Sequence, residues 1–85
     1  MSLVARVVPD VTGVDKVFDY LIPSELQDVI GVGDRVRVPL HGRNVPGWVT
    51  AIGSTSDGFT DVDETKLRSV IKRLGFGPSA EIVQL

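Results

Sequence analysis

Phe18-Asp19-Tyr20 sets a carboxylate between two aromatic rings on one short apolar stretch. In an extended chain the two rings share one face and Asp19 takes the other. Aromatic faces stack on nucleobases, and a carboxylate accepts a hydrogen bond from a sugar hydroxyl or a base amine. On that reading Asp19 senses a free hydroxyl, because a carboxylate accepts from an O–H but repels a phosphate in the same place. The plainer alternative is two core rings and one surface acid. The basic residues pose a similar choice. Seven of the nine, Arg35, Arg37, Arg43, Lys66, Arg68, Lys72 and Arg73, fall in two segments. They make either a groove for phosphates or solvated strand faces that guard edges against aggregation.

Other chemistry finds little support. His41 stands alone beside Gly42, there is no Cys, and no serine elbow or phosphate-binding glycine loop is present; an autonomous active site is not expected. Gly31-Val32-Gly33 lacks the third glycine and the preceding strand of a dinucleotide site. Asp57, Asp61, Asp63 and Glu64 miss the spacing of a calcium loop and read as a solvated acidic loop. Neither a metal nor a cofactor is therefore expected for this chain.

The elements that would position these residues are mostly strands. Fifteen Val and five Ile stand against three Ala in 85 residues, and β-branched side chains suit a pleated surface better than a helix. Strands are expected over Leu3 to Val8 with Arg6 outward, Val17 to Ile22, Asp34 to Pro39, and Val45 to Ile52. The last two form a hairpin about the turn residues His41 to Asn44, with Val36 and Val38 inward, Arg35 and Arg37 outward, and Pro46-Gly47 marking a bulge or edge. Ser24, after Pro23, is expected to cap one short helical turn. Gly53 to Asp63 reads as a surface loop, and Thr65 to Leu74 as a strand over a competing helical pattern. Pro78 to Leu85 reads as the opening of a helix. The fold expected is a small antiparallel β-barrel with at most one helical turn and the start of a C-terminal helix. Residues 1–77 would form one domain and 78–85 the start of a linker toward a following one.

The longest uncharged run, Asn44 to Ser56, contains Pro46 and Gly47 and is too short and broken to cross a bilayer. No secretory leader is visible in Met1 to Val8, so a cytoplasmic location without membrane contact is expected. A net charge of −2 speaks at first against nucleic acid. That total, however, sums an acidic loop and a basic strand face, and gripping one strand end requires only the latter.

The order of motifs resembles the N-terminal domain of the primosomal protein N′ family, the bacterial replication-restart helicases. The resemblance rests on Val4-Ala5-Arg6-Val7, Phe18-Asp19-Tyr20-Leu21-Ile22-Pro23, Gly33-Asp34-Arg35-Val36-Arg37-Val38-Pro39, Gly47-Trp48-Val49 and Leu67-Arg68-Ser69-Val70-Ile71. It implies a module that captures the 3′ end of the nascent leading strand at a stalled fork. Phe18, Asp19 and Tyr20 match the family's pocket strand, and Asp19 would accept from the terminal 3′ hydroxyl and base. Arg68 stands where the family often has lysine, replacing a point charge by a planar fork. Where the family has a glycine this chain has Leu40-His41, with Gly42 one position later, so that either His41 or Gly42 lines the pocket. Arg35, Arg37, Arg43 and Lys66 would contact phosphates.

The resemblance also implies that this part of the family protein binds forked or single-stranded-end DNA without catalysis. ATP, magnesium and zinc belong to the full-length ATP-dependent 3′–5′ helicase. Other replication-restart proteins and the single-stranded-DNA-binding protein would be met through that full-length chain. The rival reading is a small β-barrel that docks a protein partner through Trp48, Phe59 or the C-terminal helix and has no DNA affinity; Trp48 itself reads better as a core or half-buried residue.

Overall fold

The computed structural model describes residues 2–76. Five strands form one sheet: β1 (Leu3–Pro9), β2 (Phe18–Leu21), β3 (Asp34–Leu40), β4 (Arg43–Ser54) and β5 (Lys72–Phe76). Their order is β2-β1-β4-β3-β5, and every neighbouring pair is antiparallel. Alternation at period two sets the faces. Val36, Val38 and Leu40 of β3 and Val45 and Val49 of β4 point inward with Val7, Tyr20 and Val70. Val4, Val7, Val36, Val38, Val49 and Val70 are fully buried, each stabilising the fold by about 1.5–2 kcal/mol.

The barrel is loose. Its two edges, β2 and β5, are not laddered together; the chain leading into β5 touches β2 at one parallel bridge, Leu21 to Ser69. There Leu21 N–H donates to Arg68 O at 2.8 Å and Val70 N–H to Leu21 O at 2.9 Å. One residue later Ile71 N–H turns to Arg37 O at 2.7 Å, so the segment leaves β2 for β3 before a ladder can grow. Thr65 to Leu74 is thus a strand only from Lys72 onward.

Helical structure among the described residues is three short 3₁₀ turns, Ser24–Leu26, Thr55–Asp57 and Glu64–Lys66, where one turn was expected. Polar caps explain the two additions: Ser54 accepts from Ser56 N–H, and Asp63 from Thr65 N–H. At the expected turn the cap position belongs to Pro23, and Ser24 lies inside it. The helix read at Pro78 to Leu85, and with it the boundary at residue 77, lies outside the described residues.

Pro46-Gly47 is neither a bulge nor on an edge strand, since β4 is central, between β1 and β3. The N–H and C=O of one extended residue point to the same neighbour. Pro46 O accepts from Asp10 N–H at 2.8 Å, so the missing Pro46 donor falls where β1 has just ended. Gly47 is required by close approach: a Cβ there would lie 2.6 Å from Val7 Cγ1 and 2.9 Å from Val8 O. The irregularity lies further along, where Arg6 pairs with Ala51 but Val7 with Val49. Thr50 is the extra residue, and its hydroxyl donates to Arg6 O at 3.1 Å.

Among the described residues, Asp34 is the one polar side chain that is buried. Asp34, 4% exposed, accepts from Gly31 N–H at 2.8 Å and from Arg73 Nε at 2.8 Å.

Candidate nucleic-acid interface

β1 and β2 pair with Arg6 directly opposite Asp19, so both side chains rise from the same face. They meet as a fork: Arg6 Nε donates to Asp19 Oδ1 at 3.0 Å and Nη2 to Oδ2 at 3.3 Å. Burial works to raise the Asp19 carboxyl. Hydrogen bonds from Arg6 and Thr60 and the charge of Arg6 outweigh it, and hold the group below the ordinary carboxylate value. Asp19 is therefore an ionised acceptor at neutral pH.

Arg6 is itself held by Phe59. Its guanidinium carbon lies 4.5 Å from the centre of the Phe59 ring, and Nη2 also donates to Phe59 O at 3.1 Å. Phe59 reaches this position because Gly53 has no Cβ; one there would overlap the ring. Tyr20 is buried, and its hydroxyl donates to Pro39 O at 2.8 Å, tying β2 to the end of β3. Burial pushes the phenol up, against the opposing charge of Arg68.

The hairpin turn between β3 and β4 has two residues, His41 and Gly42, with Leu40 opposite Arg43. Both turn residues have positive φ, 50° and 82°, the conformation that twists with its strands. His41 is thereby turned edge-on to Phe18, the ring centres 6.3 Å apart at 88°.

These parts enclose a cavity of about 540 Å³, within the range of small-molecule sites. Phe18, Tyr20, Pro39, Leu40 and Leu67 give it apolar walls, while Arg6, Asp19, His41, Lys66 and Arg68 bring polar groups to it. Phe18 and Tyr20 point to the opposite face of β2 from Asp19, yet all three line the space. β2 is an edge strand, and the cavity wraps around that edge. Three permanent cations and one carboxylate give the lining a surplus of positive charge, which suits a phosphodiester ending in a neutral hydroxyl.

The structure thus gathers Phe18, Asp19, Tyr20, His41, Lys66 and Arg68 at one cavity. Gly42 completes the adjoining turn without lining it. Arg43 is exposed at the start of β4. Arg35 and Arg37 lie on the outer face of β3, away from the cavity, Arg35 over the half-buried Trp48 ring at 5.2 Å and 3.6 Å from Asp10. From the sequence, Arg6 is placed on an outer strand face and Phe59 is offered only as a protein-docking contact of the rival reading, neither as part of a DNA site. The available signals were a lone charge interrupting an apolar strand and a lone aromatic in a polar loop. Among the described residues no three metal-ligating side chains gather, and no helix is long and apolar enough to cross a membrane.

Asp34 shares the direction of Asp19. Burial raises its carboxyl, but the Arg73 hydrogen bond, the Gly31 amide and the Arg73 charge bring it below the ordinary value. For both groups the unfolded chain takes up protons first as pH falls. Their stabilisation is therefore complete above the unfolded carboxylate range, about pH 4, and is lost below it. Melting temperature is expected to fall only below about pH 4, with Asp34→Asn flattening that limb; an unchanged limb in the variant would exclude the linkage.

The model of the 3′DNA-binding domain (3′BD) family matches residues 6–83. The replication restart protein PriA of Bacillus subtilis (strain 168) is 44% identical over 55 residues, covering 62% of this chain and 7% of that protein. The probable replication restart protein PriA of Mycobacterium tuberculosis (strain ATCC 25618 / H37Rv) is 51% identical over 43 residues, 51% of this chain and 7% of that protein. The matches thus span only about 7% of the length of these curated relatives. No solved structure matches the chain.

Proposed function

The chain belongs to the 3′ DNA-binding domain (3′BD) family, and from that premise we propose that it recognises the 3′ end of the nascent leading strand at stalled replication forks. The observation that carries this reading is the ionised Asp19 at a cavity shared with Phe18, Lys66 and Arg68. The terminal base stacks on the exposed part of Phe18 and meets His41. The last phosphodiester lies toward Lys66 and Arg68, and the 3′ hydroxyl donates to Asp19. Tyr20, with its hydroxyl committed to Pro39, shapes the wall rather than contacting the sugar, and Gly42 allows the strand end to pass the turn. Arg35, Arg37 and Arg43 take phosphates farther along the DNA.

The names of the relatives support a role in replication restart. In that role the domain is non-catalytic and cytoplasmic, and ATP, magnesium and zinc serve other parts of a helicase. Other restart proteins and the single-stranded-DNA-binding protein are met through the longer chain.

The test is fluorescence anisotropy with one single strand ending in either a 3′ hydroxyl or a 3′ phosphate, at low and moderate salt. The hydroxyl end is expected to bind at least about tenfold tighter, the worth of a hydrogen bond to a charged group. Asp19→Ala removes that preference, and the freed Arg6 guanidinium tips binding toward the phosphate. Equal wild-type affinity for both ends overturns the reading.

A further inference from the structure

We propose that Arg6 is the positioning residue of the recognition carboxylate, and that the loop of residues 55–66 enforces it by setting Phe59 against the guanidinium. The inference rests on the reading of Asp19 given above. A carboxylate on an edge strand is free to rotate about its own side-chain bonds, and a rotating acceptor discriminates poorly between a hydroxyl and nothing at all. Here that freedom is removed. Arg6 occupies one acceptor position on each Asp19 oxygen and so fixes the plane of the carboxylate. The geometry is the two-pronged one that only a guanidinium supplies.

Arg6 is in turn fixed by three contacts that do not involve Asp19. Its backbone carbonyl takes the Thr50 hydroxyl at the bulge, its Nη2 is shared with Phe59 O, and the Phe59 ring lies against its face. A guanidinium on an aromatic face is attracted by the ring's negative quadrupole, which resists its swinging away. Gly53 seats the ring, so the order of support runs Gly53, Phe59, Arg6, Asp19. Nη2 is shared between Asp19 Oδ2 and Phe59 O, so the position of the Phe59 loop bears directly on the nitrogen that meets the carboxylate.

The experiment compares a single strand ending in a 3′ hydroxyl with the same strand ending in a 3′ hydrogen. Their affinity ratio reports the hydroxyl–Asp19 bond and is blind to a general loss of structure, which weakens both strands alike. The wild-type ratio is expected near tenfold, as for one hydrogen bond to a charged group. Arg6→Met should bring it below about threefold and Phe59→Leu to an intermediate value.

The pH profile separates the cause. Asp19 faces Arg6 and Thr60, with Lys66, Arg68 and His41 on the same cavity and Asp61 near Arg6. With Arg6 gone, burial acts against fewer opposing groups. The ratio should therefore decline in Arg6→Met, but not in the wild type, as pH is lowered from about 8 to about 5. A wild-type ratio of one overturns this inference together with the reading it rests on. A wild-type preference that survives unchanged in folded Arg6→Met overturns this inference alone. Should Arg6→Met fail to fold, Phe59→Leu decides, and an unchanged ratio there overturns it.

Discussion

Asp34→Ala is expected to lower the stability of the domain by about 3 kcal/mol, the low end for breaking a buried ion pair by removal of one partner. The substitution strands two groups. The Gly31 N–H loses its acceptor at 2.8 Å, and Arg73 loses both its bonds to the carboxylate. Arg73 is 39% exposed and can turn to water, which places the cost at the low end. Asp34→Asn retains an acceptor for Gly31 and should cost about half as much, since the charge–charge part alone is lost. Urea denaturation of the three proteins checks the order. A loss of under about 1 kcal/mol in the alanine variant would mean that the pair contributes no more than a surface bridge.

Gly47→Ala should cost a comparable amount, about 3 kcal/mol, by overpacking rather than by loss of a bond. The added Cβ meets Val7 Cγ1 at 2.6 Å, Val8 O at 2.9 Å and Pro9 Cα at 3.2 Å. Two of these three are backbone atoms of the neighbouring strand and cannot be rotated aside. β1 must then draw away from β4 next to the Thr50 bulge opposite Arg6, so the loss of stability is expected together with weaker binding of every DNA end. Thermal melting and anisotropy on the same variant test both; a wild-type melting temperature would show that the two strands separate at little cost.

Much of this arrangement is legible in the sequence. Asp34 to Leu40 alternates strictly, and Phe18-Asp19-Tyr20 announces its own strand and chemistry. Asp34 shares the parity of Val36 and Val38, so its inward direction was readable, but a partner 39 residues away in sequence was not. The same holds for Asp19. Its pairing with Arg6 follows only once the β1–β2 register is known, and the place of Phe59 depends on a bare backbone at Gly53. The segment before β5 misled because Val70 and Ile71 serve opposite ends: Val70 is 2% exposed and Ile71 44%. The chain crosses there between two strands instead of running along either.

The single bridge from Leu21 to Ser69 joins β2 to the chain that leads into β5. The walls of the cavity belong to ladders on opposite sides of this seam, and its backbone is held by two hydrogen bonds and the burial of Val70. Those bonds contribute about 1 kcal/mol each, far less than a full ladder. The opening between β2 and β3 is thus closed by two small clasps, this bridge and the Tyr20 hydroxyl on Pro39 O, while the pairing that aligns Arg6 with Asp19 lies on the opposite edge of β2.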